Sequence, residues 1–442
     1  MNRHFLSLAM LGLGVVFTNK ALAQEERNEE KNTFEVSAQL RPRFEYRNGA
    51  YLPLSEGEAP AILVNNRTRL NFNYKNTGNY PMQFYLSLQN VNIWGQAPQI
   101  QPTDKTGGLS VFEAYAVIPL ESTNKFSAKI GRQMIVLDDD RIFGSLDWHP
   151  AGRSHDAVNI NWNPNEQWQI RSFFAYNQSA TDVLNVNVPS GQYFTAGAGQ
   201  DYQHMEALHA HYGINANHQL SLLFANLGYR TNDSADQNMQ TFGAHYVGKS
   251  NLLTYGATAY MQTGKNASGA DKSAFLLAAN VGYKFSPVFG LTAGVDYLSG
   301  KASDDTSAKD KTFNPFSGTN HKFYGFMDYY YVGFTPSVGL LNPYLTANVR
   351  VNNKSNLSAT YHYFAPGAKY EANGKKHSSL GSEIDLVYNV KLQPFVSLQV
   401  GYSTYFVNDG VKSLKNRTNT RGYQDWLWCS LNINPKLFSA KF

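Results

Sequence analysis

The chain has 442 residues, with 38 Lys and Arg against 33 Asp and Glu, a net charge of +5, and 14% aromatic residues within 42% apolar ones. That balance is too even to argue for a nucleic acid or an anionic surface as partner, and with Cys429 as the single cysteine neither an internal disulfide nor a cysteine-based metal site can form. After residue 24 no stretch approaches the ~20 apolar residues of a membrane helix, so a membrane crossing would need a closed barrel, since lipid tolerates no unpaired strand edge.

The first residues read as a secretory signal peptide. Arg3 and His4 open it, Phe5 to Phe17 form an apolar run too short to span, and Ala21-Leu22-Ala23 offers small residues before Gln24. Residues 1–23 are therefore set apart from 24–442. Without Arg3 and Lys20 the 38 basic residues fall to 36 against 33 acidic ones, a near-neutral mature chain.

From residue 33 onward the dominant signal is alternation with period two. Phe34, Val36, Ala38, Leu40 and Phe44 share one face; Glu35, Ser37, Gln39, Arg41, Arg43, Glu45 and Arg47 share the other. Thr68, Leu70, Phe72 and Tyr74 oppose Arg67, Arg69, Asn71 and Asn73. The pattern returns at 344–352 and 380–392. It predicts strands near 33–46, 65–75, 82–94, 109–119, 125–136, 155–162, 167–176, 205–216, 219–229, 238–248, 252–263, 273–285, 289–299, 342–352, 357–363, 379–392, 395–407 and 425–434. Alternation alone fits a soluble sandwich or a membrane barrel. The joins decide between them: tight turns alternate with long loops, as in outer-membrane barrels and not in sandwiches. The prediction is an all-β, antiparallel transmembrane barrel of about 18 strands, an even number as bacterial barrels require. Rings at strand ends (Tyr46, Tyr74, Trp94, Trp162, Trp168, Tyr176, Tyr229, Trp426, Trp428) are candidates for the interfacial girdles, and the chain ends on Phe442.

The polar face carries the candidate chemistry. Arg41, Arg43, Arg67 and Arg69 fall on two adjacent strands, and Arg171 and Arg350 add charge elsewhere. Guanidinium is permanently charged and grips carboxylates bidentately. Two readings stand: an anion-selective lumen, or structural ion pairs with Glu35, Glu45, Glu383 and Asp385. The segment 131–148, GRQMIVLDDDRIFGSLDW, breaks the strand rhythm and opens a loop with Asp138, Asp139, Asp140, Arg141 and Asp147. It lacks the ligand spacing of a calcium loop, which favours solvated or ion-paired acids. Arg132 is off parity, so either Gly131 bulges and turns it inward or it lies above the lipid. Ser154-His155-Asp156 cannot converge as a triad, because neighbours on a strand point to opposite faces. His209 and His211 share a face without a paired Ser or acid in their segment. No phosphate loop or zinc spacing is present and no cofactor is expected. The Tyr- and Phe-rich loop 300–341 either folds inward to gate the pore or packs outside on its neighbours.

GRQMIVLDDDRIFGSLDW (131–148), RSHDAVNINW (153–162), GTNHKFYGFMDYYYVG (318–333) and GSEIDLVYNVKL (381–392) resemble the alginate export family of outer-membrane channels. The resemblance implies a monomeric barrel with an electropositive lumen that passes a polyuronate along fixed cations, with acidic residues breaking up the attraction. It nominates Arg132, Asp138, Arg141 and Glu383 as lumen residues. The leading expectation is a non-enzymatic outer-membrane channel of a Gram-negative bacterium for an anionic polysaccharide or oligosaccharide, in contact with lipid and lipopolysaccharide and inserted by the barrel assembly machinery. The alternatives are a nonselective porin, a barrel lipase or deacylase, and a loop-based adhesin.

Overall fold

Every strand expected from the alternation forms, and each pairs antiparallel with its sequence neighbour. The structure, a computed structural model, describes residues 32–78, 81–96, 99, 108–177, 202–230 and 236–442; the signal-peptide reading of 1–23 lies outside them. The wall begins with β1 (Asn32–Asn48), β2 (Ala61–Asn76), β3 (Met82–Ile93), β4 (Ser110–Pro119), β5 (Phe126–Gln133) and β6 (His155–Trp162). It continues through β7 (Trp168–Tyr176), β8 (His204–Asn215), β9 (His218–Arg230), β10 (Asp236–Lys249), β11 (Leu253–Gly264) and β12 (Ala274–Lys284). It ends with β13 (Phe289–Leu298), β14 (Leu340–Asn352), β15 (Ser355–Phe364), β18 (Gly381–Gln393), β19 (Val396–Phe406), β20 (Tyr423–Ile433) and β21 (Lys436–Lys441). A small hairpin, β16 (Tyr370–Ala372) with β17 (Lys375–His377), stands apart from the wall.

Both β20 and β21 pair with β1, so the sheet closes on itself. They are two halves of one stave, broken at Asn434-Pro435, where Pro435 has no N–H to give but its carbonyl still accepts from Ala38 N at 3.0 Å. Counting them as one turns the 19 hydrogen-bonded segments into 18 staves. Short turns follow β2, β4, β6, β8, β10, β12, β14 and β18, at the end of the barrel where β1 begins. The long joins lie at the other end. By the rule for such barrels, the turn end is periplasmic and the loop end external.

The alternation sorts the two faces. Leu40, Phe224, Phe242, Leu277, Leu345 and Leu386 are exposed on the outside, where lipid would cover them. The buried apolar cluster comes from a different source. Besides inward strand positions, it is built from loop residues folded into the loop end of the barrel: Ile135, Leu137, Phe143, Phe313, Tyr324, Met327, Tyr329 and Tyr330. Tight alternation hid this core, because it lies in segments with no period.

Several details differ from the sequence reading. β2 begins at Ala61 rather than 65, since the apolar run Ala61-Ile62-Leu63-Val64 pairs with Phe44–Arg47 despite lacking alternation. β5 stops at Gln133, where the chain leaves the wall for the lumen. The hairpin β16–β17 and a short helix α1 (Asp409–Leu414), capped by Asn408 accepting from Val411 N, form within loops expected to be irregular. Trp94, Trp162, Trp168 and Tyr176 are exposed at strand ends as a girdle requires. Trp426 and Trp428 are not girdle residues: both are buried inside, and Trp428 lies on Gly401, where any Cβ would overlap its ring. Tyr229 likewise packs against the interior cluster.

Closure predicts that removing residues 434–442 leaves Asn32–Ser37 paired with β2 alone, their other edge open inside lipid, where each orphaned backbone group costs several kcal/mol. The truncated chain should lose the heat-modifiable gel mobility of a folded barrel; a persistent shift would show that β1 closes on β20 alone.

Candidate functional site

The arginines of β1 and β2 form one basic patch on the inner wall. The register sets Arg41 directly opposite Arg67 and Gln39 opposite Arg69. Like charges facing across a strand pair repel, so a counter-ion is needed, and the chain supplies it. The join between β5 and β6 leaves the wall after Gln133, crosses the lumen and presents Asp147. Its carboxylate bridges the pair, Oδ2 to Arg41 Nη1 at 3.1 Å and Oδ1 to Arg67 Nη2 at 2.8 Å. Partial desolvation in the lumen works against the Asp147 charge, although the side chain is 60% exposed, but Arg67 and Arg41 outweigh it and hold the carboxyl below its ordinary value.

The other two arginines grip the same loop. Arg43 donates to the Trp148 carbonyl at 2.7 Å and lies 4.0 Å above the Trp148 ring. It is also paired with the fully buried Glu45 at 2.9 Å, which Arg47 contacts from the other side at 2.8 Å. Arg69 donates to the Ala151 carbonyl at 3.2 Å and stacks on Phe112. The four arginines thus serve as a socket for residues 147–151.

The loop is held on the far wall as well. Arg141 forms a buried pair with Asp296 of β13 at 2.7 Å and with Asp139 at 2.8 Å. Asp138 accepts from or pairs with His209 Nε2 of β8 at 3.0 Å. The join between β13 and β14 divides between the two readings of 300–341: its centre, around Phe326 and Met327, folds inward, while Asp304 and Asp310 pair with Lys369 and Lys272 of neighbouring joins. The acids of β18 are its socket: Glu383 accepts from Met327 N at 2.7 Å, and Asp385 from Phe326 N at 3.4 Å and from Ser403 Oγ. The two loops lock together where Trp148 stacks on His321 at 3.9 Å between ring centroids.

Each sequence candidate therefore has a place. Arg41, Arg43, Arg67, Arg69, Glu383 and Asp385 face the interior from the wall and bind loop segments, while Asp138 and Arg141 lie on an inward loop and are held by His209 and Asp296 of the wall. Arg171 lines the larger cavity, about 800 Å3, with its guanidinium on Gln169. Arg350 is exposed toward the turn end of β14, with no ion pair among the described residues. Arg132 is not a lumen residue. Gly131 takes a φ of +121° but the register stays unbroken, so Arg132 keeps the outer face it shares with Ile130 and pairs there with Asp156 at 2.9 Å. That also separates Asp156 from His155, whose Nδ1 meets Tyr202 Oη inside at 2.6 Å. Sequence reasoning missed Asp296, Trp148 and His321. Asp296 was visible as a lone acid at an inward position; the other two lie in loops, where no period marks a contact.

The larger cavity carries mixed charge: Asp138, Asp139, Asp296 and Asp385 against Arg141, Arg171, Lys249 and Lys322, with His209, His211, His245 and His362 among them. A smaller cavity of about 540 Å3 opens at the turn end beneath Arg41 and Asp147. Among the described residues no His, Cys, Asp and Glu cluster could hold a metal ion.

Residues 33–424 match the family model described as alginate export. No curated protein matches the chain. Among solved structures, OccAB4 of Acinetobacter baumannii superposes with a TM-score of 0.61 at 12% identity, covering 94% of this chain and 100% of that one. OccK9 (OpdG) of Pseudomonas aeruginosa gives 0.61 at 13%, covering 91% and 98%. OpdK of Pseudomonas aeruginosa, with vanillate, gives 0.58 at 10%, covering 92% and 99%. At such identities the likeness is one of fold.

Two outcomes test the socket. Asp147→Ala removes charge-assisted contacts worth on the order of 1–3 kcal/mol. It should raise single-channel conductance and open-channel noise in planar bilayers; in the wild type the same rise should come only as pH falls below the ordinary carboxyl range, because the Asp147 pKa is lowered. Unchanged conductance would mean that the loop is held without this carboxylate. Arg141→Ala leaves Asp296 charged, buried and unpaired, a loss of roughly 3–5 kcal/mol. The denaturation midpoint in detergent should drop, and the pairing Arg141→Met with Asp296→Leu should recover most of it.

Proposed function

Because the chain belongs to the alginate export family of Gram-negative outer-membrane channels, we propose that it is a transport channel, not an enzyme, and that its cargo is an anionic saccharide, a polyuronate or a shorter oligosaccharide of that kind. The observation that carries the reading is the Asp147 carboxylate lying across Arg41 and Arg67. A carboxylate of the chain itself occupies a site with the chemistry that a uronate would need: paired, always-charged donors on a polar wall. Arg43 and Arg69 extend the patch above and below it, so a chain of carboxylates could pass from one guanidinium to the next as the loop yields.

The mixed charge of the larger cavity favours a second reading, a porin with little selectivity, since walls bearing both signs discriminate weakly.

Reversal potentials across a KCl gradient separate the two. The anion reading expects a clear anion preference that Arg41→Ala with Arg67→Ala reduces severalfold while heat-modifiable mobility is kept. A cation preference in the wild type would sink it. Equal permeability would leave the nonselective porin.

A further inference from the structure

The cavity at the turn end has a chemistry that the arginine wall does not explain. Its volume, about 540 Å3, falls inside the ~300–1,000 Å3 range of small-molecule sites. It lies between β15, β18, β19, β20 and β1, and its wall is a row of amides. Asn356, Asn389 and Gln399 stand directly opposite one another on three successive strands; Asn432 and Gln39 continue the row toward Arg41. A carboxamide offers a donor and an acceptor in one plane. The protein uses only part of that capacity. Gln399 Nε2 donates to Asn389 Oδ1 at 2.9 Å, and Gln39 Nε2 to Asn432 Oδ1 at 2.8 Å, while Gln39 Oε1 accepts from Arg67 Nε at 3.0 Å. Asn389 Nδ2, Gln399 Oε1, Asn432 Nδ2 and the whole Asn356 amide have no protein partner among the described residues.

Both ends of the row are positive. Lys354 and Lys391 stand at the rim, brought together by the Lys391 N to Lys354 O bond at 2.8 Å, and neither has an ion pair among the described residues. Phe395 is half exposed beside them. At the inner end Arg41 touches Asp147 through one terminal nitrogen only, and its Nη2 is buried without a partner.

We propose that this cavity is a saccharide subsite at the periplasmic mouth, which takes a sugar unit carrying both free hydroxyls and a carboxylate. Vicinal hydroxyls each donate and accept, which is what the idle amide atoms can answer. The carboxylate meets Lys354 and Lys391 first and Arg41 further in, and Phe395 offers a flat apolar surface to the face of the ring. A simple inorganic anion would use the lysines and leave the amides idle. The assignment rests on the channel reading above and narrows it: recognition here is of a hydroxylated acid, not of charge alone.

The test is current blockade of single channels in planar bilayers, with mannuronate trisaccharide and maltotriose added from the turn side. Asn389→Leu with Gln399→Leu keeps side-chain volume and removes the hydrogen-bonding capacity. It should shorten the residence of the mannuronate trisaccharide roughly tenfold, about 1.4 kcal/mol, with the KCl reversal potential unchanged. Asn356→Leu, which breaks no contact within the protein, should shorten it in the same direction and serves if the double variant fails to show heat-modifiable folding. Residence unchanged by these variants but lost with Lys354→Gln and Lys391→Gln would overturn the subsite, since charge alone would then account for binding. Amide-dependent block by the mannuronate trisaccharide and not by maltotriose, in a channel without anion preference, would fail the anion reading and keep the subsite; amide-dependent block by both sugars alike would overturn the carboxylate in the assignment. Anion preference with amide-independent block would do the reverse.

Discussion

Lipid gives a backbone amide nothing to bond to, and the rest of the molecule answers to that constraint. Each strand needs a partner on both sides, so the sheet must close, and the pairing of β1 with β20 and β21 closes it. Closure forces the alternation: one face must satisfy hydrocarbon, and the other is left to polar groups. A wide polar interior is then unavoidable. In this chain the interior is partly refilled by two joins that turn inward, and their apolar residues pack with inward strand residues such as Phe173, Leu276 and Trp426 into one buried cluster.

The refilling explains why the inner wall carries so many charges. Loop backbone that enters a lumen brings carbonyls and N–H groups that need partners. Arg43, Arg67 and Arg69 meet carbonyls of Trp148, Pro150 and Ala151; Glu383 and Asp385 meet the N–H groups of Met327 and Phe326. Cations therefore sit where loop carbonyls arrive, and acids where loop N–H groups arrive. Such sockets are built from the chain's own groups, and the same guanidinium groups remain suited to a passing carboxylate.

Much of the wall was legible in the sequence because period two is a direct image of a sheet with two unlike faces. Parity placed Arg41, Arg43, Arg67, Arg69, Glu383 and Asp385 on the polar face, the family likeness adding its own nomination of Glu383, and the structure turns all six inward. Parity carries no information on what a side chain touches across 20 or more residues of loop. Nothing in residues 134–154 tells that Asp147 returns to β1 and β2, or that Trp148 meets His321. Arg132 shows the complementary failure: parity put it outside, the family likeness nominated it for the lumen, and its pairing with Asp156 vindicates parity. The girdle reading failed at Trp426 and Trp428 for the same reason that the loops were missed, since ring position along a strand says nothing of which side the loops will fill.

The Asp147 bridge has a consequence for what can displace it. A carboxylate tethered to the wall it binds competes at an effective concentration in the millimolar range for a short, flexible tether, and higher for a stiffer one. A lone monocarboxylate at micromolar levels leaves it in place. A polymer that offers a fresh carboxylate with every repeat raises its own local supply once its first unit has entered, and so can outcompete the tether by avidity. The resident acid would then act as a threshold on valency: weak metabolites stay out of the arginine pair, and long chains get through.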